Sequence, residues 1–195
     1  MTFATRTDIT NAALSSMGER AIRDYTTDTD PVAVEVRRWF DFTAKEELMK
    51  FDWPFAITRV SITKEATAPA FTWASSFAVP VDCVRFFPPT DTGEDTGENI
   101  CHEVEAGLIL SDTTVDMKLR YVSFVDDVSR WPLNFQTVFI PALALKLAEN
   151  VTGLSGALST AAQRYEQSTQ VARRFEGRQT GSSAPASSQS YIEQR

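Results

Sequence analysis

The sequence predicts an α+β fold, a helical bundle formed by N- and C-terminal helices with an antiparallel β-sheet region inserted between them. Two observations lead to this prediction. Apolar residues recur at helical spacing up to residue 52 and again from residue 134 onward. Residues 55–125 instead contain short β-prone runs separated by turn residues. Because the strands fall between two sets of helices, we expect the helices to pack together and the sheet to project from them.

Composition limits the classes of protein to consider. The chain has 195 residues, 43% of them hydrophobic, which is enough for one domain with a substantial core. Its net charge of −7 argues against a surface that grips nucleic acid, since such surfaces are basic. Cys83 and Cys101 match neither a metal spacing nor a disulfide framework, and we expect both to be buried apolar groups. No signal segment or membrane-spanning run is visible, so we expect assembly in a reducing cytoplasm.

The first predicted helix is short and covers residues 8–17. Thr7 or Asp8 is a suitable N-cap, because a side-chain oxygen there accepts a hydrogen bond from an otherwise unpaired N–H group. Gly18 is a natural stop.

The second predicted helix, over residues 31–52, is the longest regular segment of the N-terminal half. Asp30 is its expected N-cap, and Pro54 forbids its continuation into the β region. Phe42 and Met49 lie off its main apolar stripe, on a second face that we expect to be a subunit interface. The main stripe consists of Val32, Val36, Trp39, Phe40, Thr43, Ala44 and Phe51.

The β insertion is predicted over residues 55–125. Its candidate strands are 57–62, 71–77, 84–87, the two arms of a hairpin over 100–111, and 117–125. The hairpin should turn near Ala106 and Gly107. The loop at 90–99 repeats the tetrapeptide Asp-Thr-Gly-Glu, but its spacing does not match the helix–loop–helix calcium pattern, so we expect a solvated loop and no metal site.

Two further helices are predicted after the strands, over 134–152 and 156–176. Pro141 should kink the first of them or mark its true start, since it removes one backbone hydrogen bond. Gly177 should end the second. The remaining residues, 178–195, are rich in Ser, Gln, Ala and Gly and are predicted to form a flexible C-terminal arm.

No enzyme signature is visible in the sequence. The single histidine, His102, directly follows Cys101, so in a strand the two side chains point to opposite faces and do not form a nucleophile–base pair; we expect an exposed strand histidine. Glu103 and Glu105 share the other strand face, where acidic residues are usually surface charge. We therefore expect no catalytic residue and no cofactor.

Several short motifs occur in an order that resembles one family. They are Asn11-Ala12-Ala13-Leu14 with Gly18, Trp53-Pro54-Phe55-Ala56, Val79-Pro80-Val81-Asp82-Cys83-Val84-Arg85, Leu119-Arg120-Tyr121-Val122, and Ala142-Leu143-Ala144-Leu145-Lys146-Leu147-Ala148 before Thr152-Gly153. The ordered set resembles the head-to-tail adaptor of short-tailed bacteriophages, the tail tubular protein A or gatekeeper family. On that resemblance, residues 1–177 form the adaptor domain.

The resemblance implies a structural protein of the virion neck and tail, assembled in the host cytoplasm. Twelve copies would form a ring between the portal protein and a tail nozzle of the tail tubular protein B type, with genomic DNA passing through the lumen without specific binding. Nozzle-facing candidates are Glu98, His102, Glu103 and Glu105. Portal-binding candidates are Arg173, Arg174, Arg178, Tyr191 and Ile192.

Two alternatives stay open at this point. A related adaptor lineage is associated with cell-wall hydrolysis, in which case Glu103 or Glu105 would be the acid to test. The other alternative is the head–tail connector of long-tailed phages, whose helical bundle is similar. The large β insertion favours the short-tailed type.

Overall fold

The computed structural model describes residues 3–148 and 155–179 of the chain, with side chains omitted for 155–157 and 173–179. This part contains four α-helices and two three-stranded antiparallel sheets, which confirms the α+β prediction. None of the helices described is long and apolar enough to cross a membrane.

Helix α1 spans Arg6–Met17 and helix α2 spans Pro31–Lys50. The predicted cap of α1 was wrong, because Thr5 and not Thr7 or Asp8 is the N-cap, and its hydroxyl accepts from the backbone N–H of Asp8. Gly18 ends α1 in the left-handed conformation, as predicted. Asp30 caps α2 through the N–H of Val32, also as predicted. The helix stops two residues before the predicted position 52, because Phe51 is extended.

Helix α3 spans Leu133–Leu147 and helix α4 spans Ser155–Gln179. Pro141 lies inside α3, so it does not mark the start of that helix. Residues 149–152 of the predicted helix lie outside the described residues. The prediction that Gly177 ends the last helix was wrong, since α4 continues to Gln179 and includes the first two residues of the predicted arm. Glycine lowers helix stability without forbidding a helical conformation.

The strands are β1 Ile57–Ile62, β2 Ser75–Ala78, β3 Cys83–Phe86, β4 His102–Glu105, β5 Leu108–Ser111 and β6 Met117–Ser123. The predicted strand over 71–77 is shifted and shortened in β2. The predicted hairpin is present, and both Ala106 and Gly107 at its turn have positive φ angles of 49° and 79°. That pair of angles is typical of the tight turns that join two antiparallel strands.

The strands form two sheets where the sequence predicted one. The inner sheet has the order β1-β6-β3 and the outer sheet the order β2-β5-β4, all antiparallel. Strand β6 explains the difference, because apolar side chains lie on both of its faces near its C-terminal end. Val122 joins the helical core, whereas Leu119 and Tyr121 face the other way and pack with Phe77 and Ile109 of the outer sheet. The second sheet covers a face that would otherwise be exposed.

The molecule is therefore layered as helical bundle, inner sheet and outer sheet. An aromatic cluster forms the centre of the bundle, where the Phe40 ring stacks on Trp131 at 5.8 Å and meets Phe139 edge-on at 5.0 Å. Trp131 donates from Nε1 to the Val125 carbonyl, 2.8 Å away. This cluster packs against one face of α2, and in the described part of the chain residues on the opposite face are exposed.

Candidate functional site

The exposed face of α2 carries a continuous stripe of large side chains. The exposed fractions of Val34, Phe42 and Met49 are 45%, 54% and 56%. Arg38 and Lys45 lie between them and are also exposed. The five residues are spaced four, four, three and four apart, so they line up along one side of the helix. The prediction that Phe42 and Met49 lie on a second, exposed face is confirmed.

The surroundings of Phe42 hold its ring in one place on the surface. The Trp39 ring meets it edge-on at 5.7 Å between centroids. The ammonium of Lys146 in α3 lies 5.5 Å from the centre of the Phe42 ring, and Glu46 holds that ammonium at 2.9 Å. An apolar group fixed in this way loses little conformational freedom when a partner covers it.

The apolar surface continues from α2 onto the inner sheet. Met49 borders a hollow of about 220 Å³ that is shared with Val81 and Phe124, and Val81 is fully exposed. The Lys45 ammonium lies 4.9 Å from the centre of the Phe124 ring at the edge of this hollow. Helix and sheet therefore present one surface with apolar groups and two cationic side chains, Arg38 and Lys45.

The buried side of α2 contains a charged group that the sequence pattern did not predict. Glu47 is 1% exposed, and Lys50 Nζ lies 2.8 Å from its Oε1. The Tyr165 hydroxyl of α4 donates to the same carboxylate at 3.0 Å. Burial raises the pKa of Glu47, while Lys50 and Tyr165 oppose that rise. Burial alone would lower the pKa of Lys50, but its hydrogen bonds to Glu47 and Tyr165 outweigh this effect and raise it.

A groove of about 490 Å³ lies on the outer sheet, on the side away from the helical bundle. Leu108 and Leu110 of β5 form its floor, and the segment before β2 forms one wall with Phe71 and Trp73. Glu103 and Glu105 of β4 both line it, so the structure brings this predicted pair together. A third acid, Glu65, lines the groove as well, although nothing in the sequence linked it to the pair.

The aromatic wall and the acidic side of the groove are directly connected. Trp73 donates from its indole Nε1 to Glu103 Oε2 at 3.1 Å. Phe71 is 81% exposed beside it. Among the described residues that line the groove there is no Lys or Arg, so the groove combines an apolar floor with negative charge alone.

Of the other nozzle-facing candidates, His102 lies in β4 of the outer sheet, whereas Glu98 lies in the loop before that strand. Glu98 is exposed in the loop at 90–99, which is held to the inner sheet by an ion pair between Asp95 and Arg120. His102 was expected to be exposed but is half-buried, because its ring packs 6.1 Å from that of Phe86 and its Nδ1 lies 2.9 Å from the Ile100 carbonyl oxygen.

The two cysteines differ from each other, contrary to the prediction that both are buried. Cys83 is half-buried, and burial raises the pKa of its thiol to about 11, so it is a poor nucleophile. Cys101 is exposed because it precedes β4, where no strand covers it. No group of three or more His, Cys, Asp or Glu side chains in the described residues is placed to hold a metal ion.

The portal-binding candidates are placed only in part. Arg173, Arg174 and Arg178 belong to α4, but their side chains are outside the described residues, and so are Tyr191 and Ile192 entirely.

Sequence reasoning missed part of the α2 surface and most of the groove. The spacing of Arg38 and Lys45 with Phe42 and Met49 is readable from the sequence, and a search for a mixed apolar and basic stripe would have found it. No sequence signal joins Trp73 to Glu103, because 30 residues separate them and only the folded sheet brings them together.

No protein-family model matches this sequence, and no curated protein matches it either.

Proposed function

We propose that this chain is a structural virion protein, the ring-forming head-to-tail adaptor of a short-tailed bacteriophage. Twelve copies form a ring in the neck of the virion, assembled in the host cytoplasm. The ring joins the portal protein to the tail nozzle and surrounds the channel through which genomic DNA passes. The proposal combines the ordered motifs of the sequence with the surfaces described above.

The observation that carries the proposal is the exposed stripe on α2. Val34, Phe42 and Met49 are each about half exposed in the described part of the chain, and the Trp39 ring packs against that of Phe42. Exposed apolar patches of this kind mark interaction sites. The patch continues to Val81, in the turn that leads into β3 of the inner sheet. We propose that a neighbouring subunit of the ring covers it by a different surface, since head-to-tail contacts of unlike surfaces close into rings.

The layered fold supports a division of the remaining contacts. The outer sheet is the layer furthest from the bundle, and we propose that Glu98, His102, Glu103 and Glu105 face the nozzle. We propose that the arm after α4, with Arg173, Arg174, Arg178, Tyr191 and Ile192, binds the portal. A net charge of −7 suits a channel wall that must let DNA pass without retaining it.

We assign no catalytic role to Glu103 and Glu105. Both side chains are exposed, and Glu103 already accepts a hydrogen bond from Trp73. A carboxyl that transfers protons in catalysis is usually sheltered, so that its pKa lies near the working pH. Incubation with purified peptidoglycan is expected to release no soluble muropeptides, and their release would instead support a cell-wall hydrolase.

The test of the proposal is the substitution Phe42→Asp. A charge at the centre of a buried interface costs on the order of 2 kcal/mol or more per contact, so the variant should stay folded but form no rings. Electron microscopy of the protein mixed with portal particles measures ring formation, and circular dichroism checks the fold.

The matched control is Val115→Asp, which places the same charge at a position that is 70% exposed and lies outside the stripe. This variant should assemble normally. Normal rings from Phe42→Asp, or equal loss in both variants, would refute the α2 interface.

A further inference from the structure

We propose that the groove on the outer sheet is a peptide-binding site that takes an extended, cationic segment of a partner chain, pairing with the free edge of β4. The assignment of this segment to the tail nozzle rests on the proposed function. The binding chemistry itself rests on the groove alone.

Charge and polarity define the chemistry of the occupant. Glu65, Glu103 and Glu105 make the sides of the groove negative, and Leu108 and Leu110 make its floor apolar. An occupant that satisfies both parts carries Lys or Arg next to an apolar side chain. Lys and Arg match this arrangement well, since their aliphatic stems lie along apolar surface while the charged ends meet carboxylates. Nucleic acid is disfavoured because its phosphates would meet carboxylates.

The edge of the sheet identifies the occupant as a polypeptide. Among the described strands β4 pairs with β5 alone, so its other edge presents backbone groups to solvent. Val104, in the middle of this edge strand, is 50% exposed. An extended segment that adds beside β4 would bond to this backbone and cover Val104, while every second side chain of the segment would fall on the same face as Glu103 and Glu105.

The same acids select against a second copy of β4 as the partner. Two β4 edges paired side by side would bring glutamates of both copies together, and like charges across a strand pair are destabilising. A segment with Lys or Arg at those positions reverses the sign of the interaction. The edge of β4 therefore disfavours pairing with a second copy of itself and favours pairing with a basic strand.

The test uses the full chain and two capped synthetic peptides. The first alternates lysine and valine around a central phenylalanine, and the second has glutamate at each lysine position. Titration calorimetry measures binding to the wild type and to the double variant Glu103→Gln with Glu105→Gln. We expect the cationic peptide to bind and the acidic peptide to bind at least tenfold more weakly, with loss of about tenfold in the double variant.

The matched control is Asp116→Asn with Glu166→Gln, which removes the same net charge from exposed positions that do not line the groove. It should bind the cationic peptide as the wild type does. Equal loss in the control variant would show attraction to net charge alone and overturn the site. Hydrogen exchange of the β4 amides should slow when the peptide binds, and unchanged exchange would overturn pairing with the strand.

The outcome is separable from that of the ring proposal. Peptide binding does not require a ring. If the protein binds the peptide but never forms rings, the peptide site is supported and the adaptor proposal is refuted. If the protein forms rings but does not bind the peptide, the adaptor proposal is supported and the groove is not a peptide site.

Discussion

Glu47 in α2 and Tyr165 in α4 are 118 residues apart, yet the Tyr165 hydroxyl donates to the Glu47 carboxylate at 3.0 Å. The neighbouring acid, Glu46, faces α3 and pairs with Lys146 at 2.9 Å. Two consecutive glutamates thus connect the central helix to two different helices. Their environments differ enough to shift their pKa values in opposite directions.

The two acids should give opposite pH dependences of stability. Burial raises the pKa of Glu47 above its ordinary value of 4.5, so its contribution to folding is present below that value and is lost as pH rises through the raised pKa. Burial alone would raise the pKa of Glu46, but ion pairs with Lys146 and Lys50 outweigh it and lower the pKa. Its contribution is present above the ordinary value and is lost as pH falls through the lowered pKa.

Urea unfolding of Glu47→Gln and Glu46→Gln between pH 3 and pH 7 measures this difference. The free energy of unfolding of the wild type minus that of Glu47→Gln should fall as pH rises from about 4 to 7. The same difference for Glu46→Gln should rise as pH increases from about 3 to 5. Each variant is the control for the other. If the two differences in unfolding free energy changed in the same direction with pH, the opposite pKa shifts of Glu46 and Glu47 would be contradicted.

Phe40 and Phe42 are two positions apart and should differ strongly in their contribution to the stability of the free subunit. Phe40 is fully buried among aromatic rings, so Phe40→Ala should cost about 3–5 kcal/mol of unfolding free energy. Phe42 is 54% exposed, so Phe42→Ala should cost about 1 kcal/mol or less. Denaturant unfolding at low protein concentration measures both. A large loss in Phe42→Ala would mean that its ring stabilises the subunit itself.

The position of Glu98 should be visible by crosslinking. A photoreactive amino acid in place of Glu98 is expected to crosslink to the nozzle protein and not to the portal, because its loop belongs to the β insertion, whereas the proposed portal-binding residues belong to α4 or follow it in the chain. Mass spectrometry of the crosslinked particles identifies the partner. Crosslinks to the portal alone would reverse the proposed orientation of the ring.

Deletion of residues 180–195 should separate folding from attachment. The deletion begins after Gln179 and leaves the described helices intact, so thermal unfolding of the free subunit should be unchanged. Attachment to filled heads should be lost, since a weak arm repeated around a ring gains strongly from effective concentration. Co-sedimentation with filled heads measures it. Normal attachment would show that the bundle alone docks on the portal.

The start of α2 and its exposed face could be read from the sequence because they depend on residues within a few positions of each other. Asp30 accepts a hydrogen bond from one of the first N–H groups of α2, and Pro31 has no N–H group that needs a partner. The start of this helix therefore needs no distant contact. The exposure of Phe42 and Met49 follows from helical periodicity alone. The α+β class has the same origin, since the strands lie between two helical segments in the chain.

Only the tertiary structure decided how the β insertion divides and what its surfaces contain. Near its C-terminal end strand β6 carries Tyr121 on one face and Val122 on the other, and the sequence alone does not say whether its second cover is another sheet, a helix or a partner. The burial of Glu47 depends on Tyr165, and the groove depends on Trp73 meeting Glu103. These contacts join residues that are far apart in the chain. They form only when the layers pack and bring the side chains together, so no local sequence pattern predicts them.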